Sequence, residues 1–313
     1  MVKIKKQNIL SGLKKITRFG LSIPLSNTLL VYGNHILPTK MLKSISNWRN
    51  KRIEKYINSY IKYPDIKYPL HERGCDKIWV LWLQGEDKMP LIPRMCLRSI
   101  RKYAGSHEVV LLSINNLHKY YTLPPRIKHL YEQGNITAAH LSDIIRIGLL
   151  STHGGFWIDS TMFLTKDIDD EIFNRDFFSM KSAPEGLYVS ECRWAGFCML
   201  MNRGSMLPHI LQSMITQYWE KHDWLIDYFM LDYLIDMAVN HYPDVKKLIN
   251  DNPTNNPQLH ALSPLLCSKY DEKLYQHITK NTSFFKLSWK LFSDSELLKH
   301  KDNFYNMINA KVL

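Results

Sequence analysis

The sequence of 313 residues contains only five cysteines, Cys75, Cys96, Cys192, Cys198 and Cys267, and no pair has C-x-x-C spacing. That odd, unpaired set argues against a disulfide framework or a zinc knuckle and for thiols kept in a reducing compartment. No stretch approaches the run of about 20 apolar residues that a membrane-spanning helix needs. The best candidate, residues 21–37, is broken by Pro24, Ser26, Asn27, Gly33 and Asn34. The opening MVKIKKQNILSGLKKI lacks a continuous apolar segment and a small-residue cleavage site, so no secretory signal is expected there. Repeats and low-complexity tracts are missing too. With 45% hydrophobic and 22% charged residues, the composition excludes wholesale disorder, collagen and coiled coil, and it supplies a sizeable core.

Acids are almost absent from the first 60 residues. Twelve Lys and Arg stand there against Glu54 alone, so this segment carries nearly all of the formal charge of +12. A nucleic-acid enzyme would carry its basic charge around the cleft instead, so no nucleic-acid partner is expected. Residues 4–20 place Ile9, Leu13 and Ile16 on one side of a helical wheel and Lys14, Lys15 and Arg18 on the other. Residues 40–62 read as a second basic helix. An apolar stripe backed by lysines suits either a helix packed on the domain with its basic face solvated or an anionic membrane surface. The lack of acids favours the membrane, here through residues 1–60, and a cytoplasmic protein lying peripherally on the inner face of the cell membrane is expected. Tyr63–Gly74, with Pro64 and Pro69, reads as a linker. The expected division is a basic helical extension over 1–75 and a catalytic domain over 76–313.

From Lys77 the pattern changes. Lys77–Leu83 is a near-continuous apolar run, the signature of a strand buried on both faces. A helix over Pro93–Tyr103 and a strand over Glu108–Ser113 follow. This alternation predicts an α/β fold with parallel crossovers. Further on, Thr137–Thr152, Ser205–Lys221 and Asp227–Asn240 read as helices, and Phe177–Met180 and Leu187–Met201 as strand material.

The sharpest feature is residues 140–161, HLSDIIRIGLLSTHGGFWIDST. Asp143 and Arg146, three apart, share one helix face. Gly154 and Gly155 then turn the chain, and a short strand delivers Asp159 to its carboxyl end, where open α/β sheets bind ligands. Strand alternation points Trp157 and Asp159 one way and Phe156 and Ile158 the other. His140, flanking the motif, reads as an ordinary helix residue.

This block resembles the core motif SDxxRxxxLxxxGGxYxDxD of GT-A glycosyltransferases: glycosyltransferase family 32, the capsular polysaccharide synthesis transferases and the large glucosylating toxins. Ile78–Gly85 resembles the opening strand of that group, and Asp227-Tyr228-Phe229 and Lys286–Lys290 resemble its capsular branch. The resemblance implies a GT-A, Rossmann-like nucleotide-sugar-binding domain with a mixed, mostly parallel sheet. It implies a retaining transferase that moves a sugar from a UDP-sugar to a capsular, lipopolysaccharide or lipid-linked glycan. Leu81 and Trp82 would meet the base, Ser142 and Asp143 the ribose and donor sugar, Arg146 the sugar hydroxyls, and Trp157 the ribose. Trp289, with Ser288, Lys286 and Lys290, would close over the diphosphate. Asp159 would be the first acid of the DxD motif and, with Thr161, a ligand of Mn2+ or Mg2+. Here the second acid is replaced, since the chain reads Asp159-Ser160-Thr161. A neutral hydroxyl is a weaker ligand, so Lys286 or Lys290 is an alternative carrier of the phosphate charge, and Asp167 or Asp169 an alternative acid. Asp227 reads as a helix cap and Asp232 as a pocket group. Two rival readings are a phosphohydrolase using Asp159 and a basic binding module without catalysis.

Overall fold

The computed structural model describes residues 17, 19–33, 36–66, 76–181 and 188–313. The helix expected over 4–20 therefore falls almost wholly outside the described residues, as does most of the expected linker.

Five strands form the central sheet: β1 (Lys77–Leu81), β2 (Glu108–Leu112), β3 (Gly155–Ile158), β5 (Phe177–Ser179) and β6 (Cys198–Met201), in the order β2-β1-β3-β6-β5. β1 runs parallel to β2 and β3, β6 runs against β3, and β5 runs against β6. Only β6 opposes the common direction, so the sheet is mixed and mostly parallel, an α/β arrangement of the Rossmann-like GT-A kind. Of the segment expected as a strand over Leu187–Met201, only Cys198–Met201 is one; residues 188–197 are turns. A second, two-stranded sheet pairs β4 (Met162–Leu164) antiparallel with β7 (Phe284–Lys286).

Helices cover both faces of the sheet. Ile78, Val80, Phe156 and Ile158 pack with Leu97 and Ile100 of α3 (Leu91–Lys102). Trp79, Trp157 and Met199 face the opposite layer, built from α5 (Ala138–His153), α6 (Met206–Lys221) and α7 (Met230–His241). The odd-even alternation along β1 and β3 is what divides these residues between the faces. Because both faces are covered, the strands are apolar along most of their length, with Lys77 and Glu108 at the amino ends of β1 and β2.

Two earlier helices, α1 (Ser22–Gly33) and α2 (Thr39–Asn58), lie against that second layer. Ile53 and Ile57 are fully buried in the same core as Tyr218 and Tyr233. Arg49 donates to Asn27, which in turn donates to Asp227 at 3.2 Å, and Tyr233 donates to Asn50 at 2.7 Å. Asp227 also accepts from the Phe229 amide at 3.0 Å. It thus closes a turn ahead of α7, which begins at Met230 rather than at Asp227. Between α3 and α5 lies α4 (Pro125–Glu132); α8 (Pro243–Asn250), α9 (Glu272–Thr279), α10 (Asp294–Leu298) and α11 (Phe304–Ala310) complete the chain.

Candidate active site

The site is built where α5 turns into β3. Thr137 caps α5 by accepting from the His140 amide at 3.3 Å. At the other end the helix stops at Gly154, whose φ of 67° lies in the left-handed region that glycine adopts at low cost. Gly155 is required twice over. Its φ is 115°, and a Cβ there would come within 2.6 Å of Trp79 Nε1 and 2.7 Å of the Lys77 carbonyl. The double glycine lets β3 start beside β1 directly under the helix end, and four residues later the strand delivers Asp159.

Asp159 is the hub. Trp157 Nε1 donates to its Oδ1 at 2.8 Å and Arg146 Nη2 at 3.3 Å, while Lys286 Nζ donates to its Oδ2 at 2.8 Å. Arg146 also donates through Nη1 to Asp143 at 2.7 Å, and its guanidinium stands 4.8 Å from the Trp157 ring. Arg146 is 5% exposed, so the Asp143–Arg146 pair belongs to the interior and not to a solvated helix face. Burial by itself would raise the Asp159 carboxyl. The charges of Lys286 and Arg146, with the hydrogen bonds from Lys286 and Trp157, outweigh it and hold the group below the usual carboxylate range.

Beyond Asp159 the chain makes a tight turn, Met162 donating to the Asp159 carbonyl at 2.9 Å. The turn brings Thr161 alongside, and Lys286 Nζ donates to its Oγ1 at 2.8 Å. Lys286 arrives on β7, where it pairs with Met162. Three residues further on, the exposed Trp289 meets Trp82 edge to face at 6.0 Å between ring centroids. Trp82 follows the carboxyl end of β1, next to Leu81, so both tryptophans lie on the rim that also carries Asp159. Lys290 sits 5.4 Å from the Trp289 ring, and the Ser288 amide donates to Ser263 Oγ at 3.0 Å. Ser142 is half-buried on α5, next to Asp143. Two buried donors on this side, Arg146 Nε and Trp82 Nε1, have no hydrogen-bond partner among the described residues.

Most of the sequence-predicted residues thus fall into two groups on one rim, with Leu81, Ser142 and Ser288 next to them in the chain but bonded into neither. Asp143, Arg146, Trp157, Asp159, Thr161 and Lys286 form one bonded network; Trp82, Trp289 and Lys290 form an aromatic edge. Asp167 and Asp169 stand apart: Asp167 is exposed, and Asp169 caps the short turn at 170–172. Sequence reasoning missed His140, which is buried with Nδ1 at 3.5 Å from Asp143 Oδ2. The i,i+3 spacing of the two residues was the available signal. The apolar helix around Asp232 marked it as a pocket group but did not give its partner. Asp232 accepts from Trp194 Nε1 at 2.8 Å, and burial pushes its carboxyl up to about 6 against that hydrogen bond, with the charge of Asp143 adding to the rise.

The donor set does not suit a divalent cation. Asp159 is the single carboxylate on the turn, both its oxygens already accept from cations or an indole, and Thr161 is bonded to Lys286. Among the described residues no group of three or more His, Cys, Asp or Glu converges as metal ligands would.

One curated protein similar to this chain is the O-glycosyltransferase braB of Annulohypoxylon truncatum, 28% identical over 144 residues. That match covers 43% of this chain and 32% of the fungal protein, so the chain spans about a third of its length. The family described as capsular polysaccharide synthesis protein matches residues 35–308, most of the sequence and every residue of the network. The chain belongs to the capsular polysaccharide synthesis protein family.

Proposed function

We propose that this protein is a glycosyltransferase that moves a sugar from a nucleotide-sugar donor to a cell-surface glycan. The observation that carries this is the Asp159 carboxylate, set at the carboxyl end of a buried strand between Arg146 and Lys286, beside a tryptophan edge. An aromatic face suits a nucleobase, paired cations suit a diphosphate, and Asp143 with Arg146 suits sugar hydroxyls. The unpartnered Arg146 Nε and Trp82 Nε1 are donors that a polar ligand would satisfy. Uracil as the base, retention of anomeric configuration, and a capsular, lipopolysaccharide or lipid-linked acceptor extend the family resemblance. A phosphohydrolase would need an Asp159 oxygen open for attack on phosphorus, whereas both are engaged. Incubation with a panel of nucleotide sugars tests the reading: one donor releases its nucleoside diphosphate, and simple phosphomonoesters release no phosphate. Release from phosphomonoesters alone reverses the conclusion.

The protein works at an anionic membrane surface, on the cytoplasmic side. α1 buries Ile23 in the core but also carries an apolar stripe outward. Ser26 is fully buried and Asn27 bonds inward to Arg49 and Asp227, while Leu21, Leu25 and Leu29 are 61%, 49% and 41% exposed. Tyr32 and Ile36 extend the stripe. Exposed Lys40, Lys43, Lys51 and Lys55 of α2 supply the complementary charge. No described helix is long and apolar enough to cross a membrane.

A further inference from the structure

We infer that the ammonium of Lys286 takes the place of the divalent cation, binding the donor's diphosphate directly, so that transfer proceeds without a metal. This rests on the glycosyltransferase reading and deepens it. The two departures, a threonine where the motif has its second acid and a lysine bonded to that threonine, are one feature. A second carboxylate beside Lys286 would neutralise it. A hydroxyl accepts from it and adds no second negative charge to that of Asp159, which Lys286 already meets.

The geometry supports the exchange. Lys286 is fixed at its backbone, donating its amide to the Leu259 carbonyl at 2.8 Å, while Leu287 donates to the Thr161 carbonyl at 2.9 Å. Its ammonium lies 4.5 Å from the Phe197 ring. An ammonium has three N–H donors. Asp159 and Thr161 take two at 2.8 Å each, and the third remains for a phosphate oxygen. Asp159 then positions the lysine instead of ligating a metal. In the reaction the bond between sugar C1 and the β-phosphate oxygen breaks, and its electron pair stays on that oxygen beside Lys286. The acceptor hydroxyl oxygen forms the new bond to C1, and its proton passes to the departing phosphate. Lys286 remains protonated throughout and stabilises the charge by position.

The test is titration of UDP into EDTA-stripped full-length protein, with and without added Mn2+ or Mg2+, alongside donor turnover in EDTA. We expect UDP to bind the stripped protein, with added metal changing the affinity by less than about threefold, and turnover to persist. Lys286→Met should weaken UDP about tenfold or more and leave uridine unchanged, while Lys286→Arg keeps most of the affinity. The wild-type titration stands by itself should Lys286→Met fail to fold. Binding and turnover that both require added metal would overturn the lysine's role and leave the transferase reading intact. A protein that binds no nucleoside diphosphate under either condition would overturn both.

Discussion

Trp219 donates its indole N–H to His140 Nε2 at 3.1 Å within the helical layer behind the sheet. An accepting Nε2 carries no proton, so the ring proton sits on Nδ1, the atom that faces Asp143. A tryptophan 79 positions away thereby sets the charge pattern behind the first carboxylate of the network. His140→Phe should lower unfolding stability by about 1–3 kcal/mol, because a buried N–H loses its acceptor. Urea unfolding of the two proteins measures it, and an unchanged midpoint would show that the hydrogen bond contributes nothing.

Arg146 spans two carboxylates, Asp143 at 2.7 Å and Asp159 at 3.3 Å, with its flat face toward Trp157. A lysine keeps the charge but not the fork. Arg146→Lys should therefore reduce donor turnover about tenfold or more while the protein stays folded. Steady-state kinetics beside a circular dichroism spectrum decides it; near-wild-type turnover would mean that charge alone suffices.

Asp232 gives a pH signature. Burial pushes its folded carboxyl from the ordinary value of 3.8 up to about 6, so the folded state binds its proton more tightly than the unfolded state. This group's contribution to stability therefore falls as pH rises from about 4 to about 6, and it stays unfavourable above that. Asp232→Asn can still accept from Trp194 but carries no charge. It should be more stable than wild type by about 3 kcal/mol at pH 8, with the gain vanishing below pH 4. Melting temperatures across that range check the sign, and a gain that grows toward low pH would refute it.

The exposed leucines of α1 predict a lipid dependence. Wild type should sediment with vesicles containing phosphatidylglycerol more than with pure phosphatidylcholine, and less as salt rises. A Leu25→Asp, Leu29→Asp double variant should lose most of that binding, while its donor turnover in detergent-free solution is unchanged. Point substitutions are the right tool, because Ile53 and Ile57 of α2 are part of the core and truncation would remove them.

Much of the site was legible because it is local. Helix spacing gave Asp143 and Arg146, the glycine pair gave the turn, and strand alternation gave the shared direction of Trp157 and Asp159. The contact between Lys286 and Thr161 was not legible, since 125 positions separate them and β7 is three residues long. The turn at 188–197 read as a strand because its Trp194 and Ala195 run straight into the apolar β6. The exposed apolar stripe of α1 was hidden for a related reason. Ser26 and Asn27 read as breaks in an apolar run, whereas Ser26 is buried, bonded to the Ile23 carbonyl of its own helix, and Asn27 bonds to Arg49 and Asp227.

The most direct measurement is nucleoside diphosphate release from the preferred nucleotide sugar by wild type and Asp159→Asn. The account predicts a loss of roughly a hundredfold or more in the variant, with its circular dichroism spectrum unchanged. A folded Asp159→Asn protein that releases the nucleotide at the wild-type rate would contradict it.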